Sequence, residues 1–198
     1  AATYHAFNDR FWNAARRQLY DVVDGETGND DACRPNQILA LALDHPVLAR
    51  ERWEAVLEAV RRELLTPYGL RSLSPQHPDY KARYFGDLLS RDAAYHQGTV
   101  WSHLMGPFID AYLRVNNFTP EAANQCRDFI NPLLDHLYEA GIGSVSEIFD
   151  GDAPHKPRGC FAQAWSVAET IRAHLAIRNC LENQTAPPSK DKLKKNNH

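Results

Sequence analysis

The stretch VWSHLMGPFIDAYLRVN, residues 100–116, decides how the chain is first read. It is apolar around most of its circumference, as expected for a helix enclosed by neighbours, and Pro107 is expected to bend it. Working outward, Trp53, Val56, Leu57, Val60 and Leu64 recur at helical intervals while Arg52, Glu54, Glu58, Arg61 and Arg62 take the other face, predicting a half-buried helix. Another helix is expected to open on Thr119 as N-cap, with Pro120 at its first position and Glu121 in its first turn, and to stop at Gly141 after an interruption at Pro132. Residues 4–16, 35–43 and 161–180 read as helices too, and only QLYDVVD, residues 18–24, alternates as a short strand would. The expectation is an all-α fold of about six helices in three successive pairs.

Length and composition fit one globular domain. The chain has 198 residues, 43% of them hydrophobic, and a formal charge of −3, which is too little positive charge for a nucleic-acid binder and too much apolar content for disorder. No stretch is apolar over the length of a membrane span, and the opening AATYHAFNDRFW lacks the apolar core of a secretory signal, so a cytoplasmic location is expected. Residues 1–182 are assigned to the domain and residues 183–198, where lysines follow TAPP, to a polar disordered tail. Cys33, Cys126, Cys160 and Cys180 stand far apart with no CxxC pair, predicting reduced and mostly buried thiols. No HxxxH or HExxH pattern points to a metal, and no cofactor is expected.

Two long irregular segments separate the predicted helices, residues 66–93 and 141–159. Structureless loops of that length inside a compact domain tend to carry function. The second crowds Glu147, Asp150, Asp152, His155 and Arg158 among glycines and prolines, which presents the acidic side chains rather than packing them.

Four phrases carry a family resemblance: RPNQILALAL (34–43), LLTPYGLRSLSP (64–75), AYHQGTVW (94–101) and GSVSEIFDGDAPHKPRGCFAQAWSVAE (143–169). Together they resemble the C-terminal part of the glycogen debranching enzyme family, whose implied activity is amylo-α-1,6-glucosidase, over nearly the whole chain before the tail. The resemblance implies an (α/α)6 toroid, a double ring of helices, of which the predicted helices would supply half. It further implies a missing N-terminal half or a homo-oligomer partner to cover the exposed flank. The implied ligand is an α-glucan or oligosaccharide, with no nucleic acid and no membrane.

Glycoside hydrolysis commonly needs a protonated acid at the leaving oxygen and an ionised carboxylate, the two roughly 6.5–9.5 Å apart in inverting enzymes. The family is related to glucoamylases, whose general base lies in a similar arrangement of glutamate, aspartate and Trp-Ser; here that pattern falls on Glu147, Asp150 and Trp165-Ser166. The resemblance therefore implies Glu147 as the base. From residue types alone, Glu147 could equally cap the loop or pair with Arg158, and Asp150 and Asp152 stand as alternatives for the base or as turn-formers. The family's general acid belongs to an upstream TWMDA-like phrase that is absent here, so the isolated chain is expected to be inactive or nearly so. Asp92, Tyr95, His96, Gln97, Trp101, Arg34, Tyr68, Asp150 and Trp165 are the expected saccharide contacts, with Asn36, Arg71 and Gln163 as further members. Core packing is the ordinary alternative for Trp101. After HQGTVW the family continues Pro-Trp, whereas this chain has Ser102-His103.

Overall fold

The computed structural model describes residues 2–185, with side chains described through residue 182. The tail expected from residue 183 lies, past Thr185, outside the described residues. A first helix, α1 (Ala2–Phe11), leads into two small hairpins, β1 (Trp12–Asn13) with β2 (Gln18–Leu19) and β3 (Val22–Gly25) with β4 (Gly28–Asp30). The strand expected over residues 18–24 is thus split between two ladders. A 3₁₀ turn, Pro35–Ile38, continues into the short α2 (Leu39–Ala42), and then α3 (Trp53–Glu63) follows. Next come β5 (Leu65–Thr66), β6 (Gly69–Arg71), α4 (Leu88–Tyr95) and β7 (Val100–Trp101). The chain ends through α5 (Met105–Val115), α6 (Pro120–His136), β8 (Ile148–Phe149), β9 (Pro157–Arg158) and α7 (Ala164–Thr185).

The all-α expectation is wrong. Strands β5 to β9 form one five-stranded antiparallel sheet in sequential order, making the fold mixed α/β, and the half-toroid expectation falls with it. The decisive stretch is where the reading failed. Gly98 takes φ 144, a conformation foreign to a helix, and Thr99 and Val100 are β-branched, so residues 100 and 101 join the sheet. A 3₁₀ turn, Ser102–Leu104, then intervenes before α5 begins. Pro107 consequently lies in the first turn of α5, where it removes no helical hydrogen bond and requires no bend.

The helix expected over residues 4–16 ends at Phe11, where the chain turns into β1, but the periodic reading holds for α3 and for the start of α6. The buried residues Val56, Leu57, Ala59 and Val60 of α3 lie on the predicted face, and the Thr119 side chain caps α6 by accepting from the Ala122 amide at 3.3 Å. Pro132 was expected to interrupt α6, yet the helix continues to His136. Packing outweighs the missing hydrogen bond there, since α6 lies against α5 and α7 and buries Ile130 and Leu133 on either side of the proline. The central helix is α5, which contacts α2, α3, α6 and α7 and buries Phe108, Ile109, Ala111 and Leu113.

Among the described residues, no helix is long and apolar enough to cross a membrane. All four cysteines are free; Cys33, Cys126 and Cys180 are buried and Cys160 is exposed. Burial first, and then the nearby Glu63 carboxylate, pushes the Cys33 thiol up to about 12, and burial does the same for Cys126. Only the thiolate is reactive. A disulfide reagent near pH 8 is therefore expected to titrate Cys160 alone in the native protein and all four thiols after denaturation. Rapid native reaction at a second cysteine would contradict the packing.

Candidate active site

The five-stranded sheet assembles the site, because its short strands come from three different motifs. Leu70 pairs with Trp101, Trp101 with Ile148, and Ile148 with Arg158, so LLTPYGLRSLSP, AYHQGTVW and the acidic segment lie in one ladder. The remaining phrase, RPNQILALAL, is tied on by Arg34, whose guanidinium donates to the backbone oxygens of Ser72 at 3.1 Å and His96 at 2.7 Å, and to the Gln97 amide oxygen at 2.7 Å. Asp21 faces the same guanidinium at 3.6 Å and accepts from the Asn36 amide at 3.2 Å. Four segments distant in sequence are thereby fixed around one cleft.

That cleft has a volume of about 510 Å³. Arg34, His96, Gln97, Trp101 and Trp165 line it, as does Asn36. Its wall also includes Asp21, Asp30 and His103, none of which was among the expected contacts. The sequence held a trace of the aspartates, an acidic turn-rich segment just before RPNQ. His103 showed only as a departure from the family pattern. Tyr95, Glu147, Tyr68, Asp92 and Asp150 lie outside the lining. A larger groove of about 610 Å³ runs along α3 between Arg16, Arg17, Arg61 and Arg62, but it meets none of the motif residues, and Asp31, Glu58 and Glu63 already pair with three of those arginines.

Glu147 stands behind the aromatic wall. The Tyr95 hydroxyl donates to its Oε1 at 2.5 Å and the Cys160 amide donates to its Oε2 at 2.9 Å. Room for the second contact depends on Gly159, at φ 67, where a Cβ would collide with Oε2. Tyr95 connects the carboxylate to the cleft, its ring lying 4.8 Å from both Trp101 and His96. Burial, and then the bond to Glu147, holds the Tyr95 hydroxyl far above the ordinary phenol range, so it remains a donor. Trp101 is 5% exposed; its indole N–H donates to the Tyr95 carbonyl at 3.2 Å, and His96 covers one of its faces at 5.1 Å. Trp165 is 47% exposed and is the open aromatic surface of the cleft.

Asp150 and Asp152 have settled partners. Asp150 is buried, accepts two bonds from Arg158 Nε at 3.1 and 3.2 Å and one from Nη2 at 2.9 Å, and also accepts from the Tyr84 amide at 3.0 Å. Arg158 thus pairs with Asp150 rather than with Glu147. Asp152 accepts from the Tyr80 hydroxyl at 2.8 Å; burial, and then that bond, pushes this hydroxyl up to about 12. Tyr68 stacks on Phe149 at 4.5 Å, Asp92 is exposed on α4, and Arg71 donates to the Gly151 carbonyl at 2.8 Å. The Gln163 carbonyl accepts from the Val167 amide as α7 begins.

A sequence model of the amylo-alpha-1,6-glucosidase family matches residues 1–172, all of the site described above. The chain belongs to that family. The membership agrees with the four-phrase resemblance and carries a glycosidase-related function in glycogen debranching. In this amylo-alpha-1,6-glucosidase family member, the acidic segment holds the strand pair β8 and β9 with the turn between them.

Proposed function

We propose that the cleft receives a glucosyl residue of an α-1,6-branched glucan and that Glu147 is the general base that activates the hydrolytic water. The observation that carries this reading is the chain of contacts from Glu147 through Tyr95 to Trp101 and His96 at the cleft wall. A carboxylate oxygen has two lone pairs, so each Glu147 oxygen keeps one acceptor site beside its protein bond and can still take a proton from water. The polar rim of Arg34, Asn36, Gln97 and Asp21 suits sugar hydroxyls, and the open face of Trp165 suits the flat side of a pyranose.

The general acid is supplied from outside these residues, by a preceding segment or a partner subunit that closes the cleft, and the chain alone has little or no hydrolase activity. A second reading, a glucan-binding module without catalysis, is favoured by one observation: both Glu147 oxygens are already hydrogen-bonded. Titration of the chain with isomaltose tests the saccharide reading common to both. Saturable binding is expected, and Trp165→Ala is expected to weaken it about tenfold by removing the stacking surface. Binding unchanged in that variant would remove the cleft from the account.

A further inference from the structure

The aromatic wall is built from two imidazole–indole stacks. His96 lies on Trp101 at 5.1 Å with 2° between the planes, and His103 lies on Trp165 at 4.0 Å with 16°. The two indoles meet edge to face at 5.8 Å and 83°. The stacks differ in what holds them. Trp101 is fixed by the sheet and by its hydrogen bond to the Tyr95 carbonyl, and it is nearly inaccessible. Trp165 stands at the start of α7, is about half exposed, and makes no side-chain hydrogen bond among the described residues. Its orientation rests on ring contacts, and the closest is with His103.

The His103 side chain makes no hydrogen bond among the described residues. Its Nδ1 is buried with no partner among the described residues, so an imidazolium there would carry an unsatisfied N–H in a dry position. We propose that His103 is a positioning residue of the cleft: as a neutral imidazole it braces one face of the Trp165 indole so that the opposite face receives a pyranose ring. This rests on reading the cleft as a saccharide site.

The groups around His103 set the sign of its pH dependence. Burial lowers its pKa from the ordinary histidine value, outweighing Glu169 on α7, which favours the charged form. Glu169 is itself committed to Arg172, which also binds Asp110 of α5. Across the cleft stand Asp21 and Asp30 with Arg34, and beyond Trp101 stands His96. A sugar on Trp165 takes further water from His103, so saccharide binding and protonation oppose each other. Affinity is full while the imidazole is neutral and falls as pH drops below the ordinary histidine range.

The test uses the full chain, isomaltose as probe, calorimetry at about pH 7.5 and about pH 5, and tryptophan fluorescence against pH without sugar. The wild type is expected to lose affinity about fivefold toward acid and to show a fluorescence step with its midpoint below about 6.5, since imidazolium quenches a stacked indole. His103→Phe, which keeps a flat ring that cannot ionise, is expected to retain the affinity at both pH values and, combined with His96→Gln to remove the other stacked imidazole, to lose the step. His103→Ala is expected to bind about three- to tenfold more weakly at the higher pH, the size of one lost stacking contact. His96→Gln is expected to keep the fluorescence step, whatever it does to affinity.

If His103→Ala binds like the wild type, or His103→Phe retains the acid loss, the bracing role is overturned while the saccharide cleft survives. If the wild type binds no isomaltose at either pH, the saccharide reading fails and this proposal fails with it.

Discussion

Glu147→Gln is expected to lower the turnover of an α-1,6-linked glucoside by about 10²–10⁴-fold, the usual worth of general-base assistance, with little change in KM. The measurement belongs in a preparation that supplies the general acid. Glutamine matches glutamate in shape and keeps an acceptor for the Tyr95 hydroxyl, so the wall that Tyr95 forms with Trp101 and His96 should stand. Lost is the negative charge that draws the proton from water as it attacks. The glucan-binding reading predicts turnover within about twofold of wild type, far below what removal of a base costs. A loss appearing only in KM would make Glu147 a binding residue.

The second large effect is one of stability. Asp150→Asn is expected to destabilise the fold by about 3 kcal/mol, near the cost of breaking a buried ion pair from one side. At this chain size that corresponds to a fall in Tm of roughly 6–12 °C. Asparagine keeps one oxygen for the Tyr84 amide but cannot neutralise Arg158, which stays beside it with its side chain 26% exposed. The strand β9 that carries Arg158 is only two residues long, and the pair adds to the backbone bonds that join the Asp150 amide to Lys156 and the Glu147 amide to Cys160. Arg158→Gln should cost a similar amount, and the double variant less than the two singles added, because both remove the same interaction. A Tm within about 2 °C of wild type for Asp150→Asn would show that water replaces the pair at little cost.

The helices were legible where one apolar face repeats over several turns. In α3 the residues that the sequence places on one side are the ones buried against the core, and in α6 the cap and first-turn residues announce the start. The sheet was not legible. Its strands are two or three residues long, too short for an alternating pattern, and they pair across dozens of positions: Leu70 with Trp101, and Trp101 with Ile148. Such strands are specified by their partners rather than by local propensity. The apolar run 100–116 therefore read as one helix, although its first two residues belong to the sheet and the next three to a 3₁₀ turn.

The site divides along the same line. Arg34, His96, Gln97, Trp101 and Trp165 line one cleft while Tyr68, Asp92, Tyr95 and Asp150 do not, because motif residues can be recognised without knowing the pairing that gathers them. Asp21 and Asp30 went unnoticed, since small turn-rich hairpins make aspartate look like turn chemistry. The partner of Arg158 was left open for a related reason. Residue types allowed a pairing with Glu147 as one alternative, and the antiparallel pairing of β8 with β9, next to the Tyr84 amide, gives Arg158 to Asp150 instead.

The most direct measurement is a structure of the protein with a glucose-configured iminosugar bound. The account predicts the sugar ring against the open face of Trp165, its hydroxyls among Arg34, Gln97 and Asn36, and an ordered water between its anomeric carbon and a Glu147 oxygen. A sugar bound in another groove, or seated in this cleft with Glu147 sealed off from the anomeric carbon by the Tyr95 and Trp101 rings, would contradict it.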